Sequence, residues 1–144
     1  SKYWRLLKDR NTLILKKKDI ELEEQILIND NERKIETPFG ILFFDEVDAI
    51  FGKRTNIIFV EKEKLQFPLR IRKWQEGDIF YPFGMEGKKK ISKFFKDEKL
   101  SLFEKEQVWL LCSGEDIIWI IDMRADDRFK ISDTTKHKLK IELQ

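Results

Sequence analysis

The sequence predicts an α+β fold: a mainly antiparallel β-sandwich or barrel-like double sheet, with two short helices inserted between Met85 and Gln107. Strand-length apolar segments recur along the chain, separated by turn-forming residues, which is typical of an all-antiparallel arrangement. Two of these segments, residues 108–112 and 117–121, are almost entirely apolar, so both of their faces should be buried in the middle of a sheet. Helical spacing of apolar residues appears at Ile91, Phe94 and Phe95, within the stretch between Met85 and Gln107.

The first part of the chain predicts short strands. Residues 3–7 and 12–15 form an expected hairpin, and residues 26–28, 41–44 and 57–60 are further apolar strands around a turn at residues 29–31. Residues 64–68 predict one more short strand. It should be an edge or the start of a strand, because Pro68 has no N–H to donate.

The most informative stretch runs from residue 69 to residue 105. Residues 69–74 alternate with a period of two, which places Arg70 and Arg72 on the same side of a strand. Glycine-containing turns follow at residues 77–78 and 84–87. Three consecutive lysines, residues 88–90, then precede a predicted basic helix that begins at Ile91, with its phenylalanines on one face and lysines on another.

The remaining elements follow in order. Ser101 and Glu104 have the spacing of a capping box and predict a second short helix over residues 101–106. The two central strands are joined by a hairpin turn at residues 113–116, and a charged loop follows at residues 122–128. Residues 129–131 and 139–143 predict the closing strands.

Charge is unevenly distributed along the chain. The whole sequence carries a formal charge of +2, but residues 64–105 contain eleven Lys or Arg against six Asp or Glu. A basic face on an otherwise slightly acidic domain suits a polyanionic partner. No segment is long and apolar enough to span a membrane, and no secretory pattern is present, so we expect a cytoplasmic protein. Because the first residue is Ser1, we expect a fragment of a longer chain.

Catalytic and metal-binding patterns are not found in the sequence. The single cysteine, Cys112, lies in an apolar run that predicts a buried thiol, and the single histidine, His137, is expected at the surface. The turn at residues 84–90 lacks the spacing of a phosphate-binding Walker loop. Three aspartates could hold a metal, but the arginines interleaved with them favour an ion-paired turn: Asp122, Asp126 and Asp127. We therefore expect neither a catalytic residue nor a metal site.

Five motifs occur in unbroken order between residues 68 and 131. They are Pro-Leu-x-x-Arg at 68–72, Gly-Asp-x-Phe-x-Pro-x-Gly-Met at 77–85, Gly-x-Lys-Lys followed by Ile at 87–91, Ile-x-Trp-Ile at 117–120 and Arg-x-Asp-x-Arg-Phe at 124–129. Together they resemble the C-terminal domain of tRNA(Ile)-lysidine synthetase. The resemblance implies a C-terminal domain of that family over residues 64–144, with residues 1–63 as a β-rich part that ends the preceding region and packs on the rest.

The resemblance also implies a fold and a role. The fold would be the one shared with the β-chain of bacterial phenylalanyl-tRNA synthetase. The parent enzyme would use ATP to attach lysine to the wobble cytidine of tRNA(Ile), at a site in an N-terminal ATPase domain. This chain would then need no cofactor of its own, and its partners would be the acceptor stem of tRNA(Ile) and that ATPase domain.

Ten basic residues are the candidate RNA contacts that the resemblance and the charge pattern imply: Lys88, Lys89, Lys90, Lys93, Lys99, Lys105, Arg70, Arg72, Arg124 and Arg128. For the strand arginines, cross-strand ion pairs are an equal alternative. For Arg124 and Arg128, neutralisation of the neighbouring aspartates is the favoured alternative. Two arginines common in the family's following helix stand here as Lys105 and Gln107, so part of the contact surface would differ.

A protein–protein docking or dimerisation module is the competing function, with a second copy of the chain as one partner. Salt dependence separates the two functions, because RNA binding through several lysines weakens steeply as salt rises.

Overall fold

The computed structural model describes residues 25–52 and 54–144, and the predicted hairpin at residues 3–7 and 12–15 lies outside them. The strands of the described part are β1 Ile26–Ile28, β2 Lys34–Thr37, β3 Gly40–Val47, β4 Ile57–Glu61, β5 Leu69–Lys73, β6 Ile79–Phe80, β7 Lys89–Lys90, β8 Trp109–Ser113, β9 Asp116–Ile120, β10 Arg124–Ala125 and β11 Lys138–Leu143. Its helices are α1 Ile91–Asp97 and α2 Leu102–Glu106, with 3-10 turns at Lys62–Lys64 and Asp127–Phe129.

Two antiparallel sheets and a small hairpin organise these elements. The first sheet has the strand order β1-β5-β8-β9-β10, the second has the order β2-β3-β11-β4, and β6 pairs with β7 alone. Each strand pair is antiparallel. The predicted fold class, a double sheet with two short inserted helices, is confirmed.

The main hydrophobic core lies between the two sheets. Ile71, Leu111 and Trp119 enter it from the five-stranded sheet, and Phe44 and Ile141 enter it from the four-stranded sheet. All five side chains are at most 3% exposed. Their burial follows from the period of two along each strand, which sends alternate side chains to the same face.

A second core covers the opposite face of the five-stranded sheet. Leu110 and Ile120 project from β8 and β9 against Phe94 and Phe95 of α1, together with Phe80 of the β6-β7 hairpin. The five-stranded sheet is therefore buried on both faces at its centre, as the apolar composition of residues 108–112 and 117–121 predicts. The helix and hairpin form a third layer.

An irregularity in the β8–β9 pairing adjusts which side chains reach each core. Leu111 lies opposite Trp119 but the next residue, Cys112, lies opposite Ile117, so β9 contains one extra residue. As a result, the consecutive residues Ile118 and Trp119 both belong to the core between the sheets. Strict alternation would place one of them on the helix side.

Two strand predictions are wrong. Within residues 64–68, Lys64 ends a 3-10 turn. The N–H of Gln66 donates to the side-chain hydroxyl of Ser113 at 2.8 Å and not to a backbone carbonyl of a neighbouring strand. At residues 129–131, Phe129 ends a 3-10 turn over Asp127–Phe129, which the Asp126 side chain caps by accepting from the Arg128 N–H at 2.8 Å, and only Lys130 pairs, in an isolated bridge with Val60. Phe129 is still buried, but from a turn.

The division at residue 63 stays a prediction. Described strands from before that residue join both large sheets: β1 pairs with β5, and β11 lies between β3 and β4. The two sides of the boundary therefore share hydrogen-bonded sheets in the described part of the chain.

The second core, between the five-stranded sheet and α1 and called the helix-side core below, leads to a stability prediction. Phe95 is fully buried, packed edge-on against Trp74 with ring centroids 5.0 Å apart, so Phe95→Ala should lower the free energy of unfolding by about 3–5 kcal/mol. Urea denaturation measures this loss. The neighbouring Lys96→Ala, at an exposed position, should change it by less than about 0.5 kcal/mol. Equal effects of the two substitutions would contradict the packing described here.

Candidate nucleic-acid interface

The hairpin and α1 hold the lysine-rich segment against the five-stranded sheet. In the hairpin, Ile79 lies opposite Lys90 and Phe80 opposite Lys89, and the buried Phe80 ring anchors it. The N–H of Ile91 donates to the Asp78 carbonyl at 2.9 Å, so the hairpin leads directly into α1. The inward face of α1 carries Ile91 and the two phenylalanines, which leaves lysines on the solvent side, as the spacing predicts.

Several ammonium groups have no carboxylate partner. Among the described residues, no Asp or Glu oxygen lies within 4.0 Å of the side-chain nitrogens of the following residues: Lys88, Lys90, Lys96, Lys99 and Lys105. We call these five residues the unpaired lysines. All except the half-buried Lys105 are exposed. They occupy consecutive elements, from the β6-β7 hairpin through α1 to α2.

Lys89 and Lys93, by contrast, share one carboxylate. Their ammonium groups lie 2.5 and 3.0 Å from the two oxygens of Asp97. Hydrogen bonds from Lys89 and then from Lys93 lower the pKa of Asp97 below its ordinary value, so the carboxylate is ionised at neutral pH. Because the pKa of Asp97 is lower in the folded state, its ion pairs stabilise the fold at pH values above the ordinary pKa of an aspartate. This stabilisation is lost as the pH falls through the folded-state pKa. Two of the predicted contacts are thus partly neutralised.

The two strand arginines have different roles. Arg72 donates two hydrogen bonds to Asp78, both 3.0 Å long, and its pKa is raised mainly by that carboxylate. Asp78 also accepts from the Gln75 N–H at 2.7 Å, so the pair orders the turn after β5. This is an ion pair within a turn and not the cross-strand pair considered from the sequence. Arg70 is exposed, and no carboxylate of the described residues lies within 4.0 Å of it.

The half-buried Arg128 pairs with a buried carboxylate. Its Nε and Nη2 donate to the two oxygens of Asp126 at 3.0 Å each, and its guanidinium lies 4.2 Å from the centre of the Tyr81 ring. Burial acts to lower the pKa of Arg128, but the hydrogen bonds and charge of Asp126 outweigh it and raise the pKa. Arg124 donates to the Phe83 carbonyl at 2.8 Å and so supports the turn after β6.

The aspartates of the charged loop at residues 122–128 also form contacts within the fold. Asp127 accepts from the Gly84 N–H at 3.1 Å and pairs with Lys130 at 3.2 Å, and Asp122 accepts from the Thr55 hydroxyl at 3.0 Å. No group of three His, Cys, Asp or Glu side chains in the described part of the chain is arranged to hold a metal ion. Cys112 is buried, and burial raises the pKa of its thiol to about 11.

Two exposed apolar features were missed from the sequence. Leu102 and Phe103 of α2 are 73% and 70% exposed. A groove of about 580 Å³ also opens beside β4 and β10, and Ile57, Phe83 and Ala125 contribute to its lining. The sequence gives no signal for the first feature, because the apolar residues of a short amphipathic helix are ordinarily expected to face the core. The groove depends on how the sheet edges meet, which no local pattern encodes.

Comparison with known proteins identifies the family. Residues 69–142 match the model of the TilS substrate C-terminal domain. The chain belongs to the TilS C-terminal domain family.

Related sequences agree with this membership. A tRNA(Ile)-lysidine synthase of Parabacteroides distasonis is 41% identical over 139 residues, which are 94% of this chain and 32% of that protein. A tRNA(Ile)-lysidine synthase of Bacteroides thetaiotaomicron is 42% identical over 136 residues, covering 94% of this chain and 30% of that protein. The chain thus spans about a third of the length of these curated relatives.

A solved structure matches the fold. A crystal structure of a TilS C-terminal domain superposes with a TM-score of 0.68 at 17% identity, covering 83% of this chain and 96% of the other. None of the helices in the described part of this TilS C-terminal domain is long and apolar enough to cross a membrane.

The Asp126–Arg128 pair of this TilS C-terminal domain leads to a stability prediction. Asp126 is 1% exposed and accepts from Arg128 and from the Tyr81 N–H at 2.9 Å. Asp126→Ala leaves these donors without a partner, so the free energy of unfolding should fall by about 2–4 kcal/mol. Urea denaturation of Asp133→Ala, which removes an exposed carboxylate, is the matched control and should show almost no change. A loss no larger than that of the control would exclude a structural role for the pair.

Proposed function

We propose that this chain is the acceptor-stem-binding domain of a tRNA(Ile)-lysidine synthase. The observation that supports the proposal most strongly is the row of unpaired lysines on consecutive elements, from the β6-β7 hairpin through α1 to α2. The exposed Arg70 is a further candidate on the five-stranded sheet. Lys89 and Lys93 are secondary contacts because Asp97 already binds both of them.

Ammonium groups suit this target because a duplex RNA is held mainly through its phosphates and 2′-hydroxyls. Each phosphate contact releases condensed counterions, which makes the affinity fall with salt. Lysine side chains without a carboxylate partner can reach phosphates without first breaking an ion pair. Arg72 and Arg128 would have to give up partly buried, charge-assisted hydrogen bonds, so their proposed role is to shape the surface rather than to bind RNA.

The rest of the proposal comes from the relatives' names and the family resemblance. The parent enzyme would modify tRNA(Ile) by attaching lysine to the wobble cytidine, with ATP and lysine bound by its N-terminal ATPase domain. In this proposal, the present chain supplies recognition and no chemistry, works in the cytoplasm, and has the acceptor stem and the ATPase domain as partners.

A docking or dimerisation module is the second candidate. The groove beside β4 and β10 favours it, because Ile50 and Phe83 are about half exposed at its rim. Docking through this apolar surface would depend little on salt. If the docking partner is a second copy of the chain, self-association should increase with the concentration of the chain.

The test of the proposal is a salt titration with an acceptor-stem hairpin RNA. Lys88→Ala/Lys90→Ala removes two of the unpaired lysines, so the affinity should fall and the slope of log K against log salt should become shallower by about 1.4–1.8. Binding is measured by fluorescence anisotropy at several salt concentrations. Lys34→Ala/Lys136→Ala, at exposed positions on and near the four-stranded sheet, removes the same charge and should leave the slope unchanged.

A charge change of the opposite sign strengthens the test. Asp97→Asn removes the carboxylate that binds Lys89 and Lys93, so it should tighten RNA binding and steepen the salt slope. Equal slopes for both lysine pairs would show only a general charge effect. If the RNA does not bind at any salt while the chain self-associates, the docking module is the better explanation.

A further inference from the structure

The helix α2 adds nothing to the hydrophobic core. None of its five residues is buried, and it presents two large apolar side chains, Leu102 and Phe103, more openly than any other in the described part of the chain. Exposing both side chains forgoes the stabilisation that burial would give. Scattered apolar residues at a surface are normal, but two adjacent ones on a helix with no buried face form a small apolar surface.

Hydrogen bonds fix both ends of the helix that carries this apolar surface. At the start, the Ser101 N–H donates to the Glu104 carboxylate at 2.7 Å, and the Glu104 N–H donates to the Ser101 hydroxyl at 3.1 Å. At the end, the Trp74 indole N–H donates to the Lys105 carbonyl at 2.9 Å. Because Trp74 also packs on Phe95, α2 is fixed to the helix-side core even though none of its side chains enters it.

The segment that carries this surface is rich in lysine. From Lys88 to Gln107 the chain contains seven lysines and four carboxylates, a net charge of +3. Of the four carboxylates, Asp97 binds two lysines and Glu104 is held in the capping box, while Glu98 and Glu106 are exposed. Lys99 precedes the apolar surface and Lys105 follows it, both among the unpaired lysines. An exposed aromatic ring and unpaired lysines in one segment are the two features that bind single-stranded nucleic acid, where bases stack and phosphates pair with ammonium groups.

We propose that Leu102 and Phe103 form a stacking platform for an unpaired nucleobase, namely one in the single-stranded 3′ extension of an acceptor stem. The inference rests on the proposed function, because it takes the duplex to be held by the unpaired lysines. Bases inside a duplex are stacked on one another and offer no free face, whereas an unpaired base can lie on an exposed ring.

The size of the surface favours a base over a protein. An aromatic side chain contributes about 150–250 Å² of buried area, while a stable protein interface buries about 1,200–2,000 Å² in total. Leu102 and Phe103 alone are therefore too small to anchor a protein partner. A single stacked base needs no more than one ring, and neighbouring lysines provide the remaining attraction.

The experiment compares two hairpin RNAs with the same duplex, one blunt and one with a single-stranded 3′ extension that carries 2-aminopurine. The unaltered chain should bind the extended RNA about tenfold more tightly and quench the 2-aminopurine fluorescence, since an unpaired base gains affinity by stacking on an exposed ring. Phe103→Ala should abolish the difference in affinity between the two RNAs and the fluorescence quenching, while the affinity for the blunt RNA stays the same. Phe103→Trp should retain both. Phe51→Ala, which removes a 62% exposed ring outside this surface, is the matched control and should behave like the unaltered chain.

The outcomes separate this inference from the proposed function. If both RNAs bind equally and Phe103→Ala changes nothing, the stacking platform is wrong and duplex binding stands. If neither RNA binds at any salt, the proposed function fails, and the platform fails with it. If Phe103→Ala instead weakens self-association in sedimentation, the surface contacts protein and the inference is overturned. Thermal denaturation by circular dichroism confirms that each variant is folded.

Discussion

The five-stranded sheet must be covered on both faces, and the rest of the structure depends on that requirement. Its central strands, β8 and β9, are apolar on both sides, so each face needs a hydrophobic partner layer. One face packs on the four-stranded sheet. The other is closed by the β6-β7 hairpin and by the buried side of α1. Because α1 has only one apolar face, covering the sheet with it necessarily turns its lysines toward solvent.

Two classes of cation result from this architecture. Arg72 and Arg128 are tied to Asp78 and to the buried Asp126, so their charges are balanced within the fold and they hold turns in place. The unpaired lysines have long, mobile side chains and no carboxylate within 4.0 Å among the described residues. Arginine's planar fork suits the fixed pairs, and the compact ammonium suits phosphates in varied positions. Charge counted along the sequence does not distinguish these classes.

The sequence predicts those features that depend on local periodicity or local chemistry. The double-sided burial of β8 and β9, the inward face of α1 and the capping box at Ser101 are all confirmed. Features that depend on distant partners could not be predicted. The strand expected at residues 129–131 is replaced by a 3-10 turn over Asp127–Phe129 that Asp126 caps. Lys89 forms an ion pair with Asp97, eight residues away. The exposure of Phe103 likewise follows from how Trp74 fixes α2.

The most direct test of the central claim is a titration of the ¹⁵N-labelled chain with an acceptor-stem duplex, followed by amide chemical shifts. We expect salt-sensitive shifts in residues 88–107 and near Arg70, with little change in the strands of the four-stranded sheet. Shifts confined to that sheet or to the groove beside β4 and β10 would contradict RNA binding by the layer formed by the β6-β7 hairpin and α1. So would the absence of any shift at low salt.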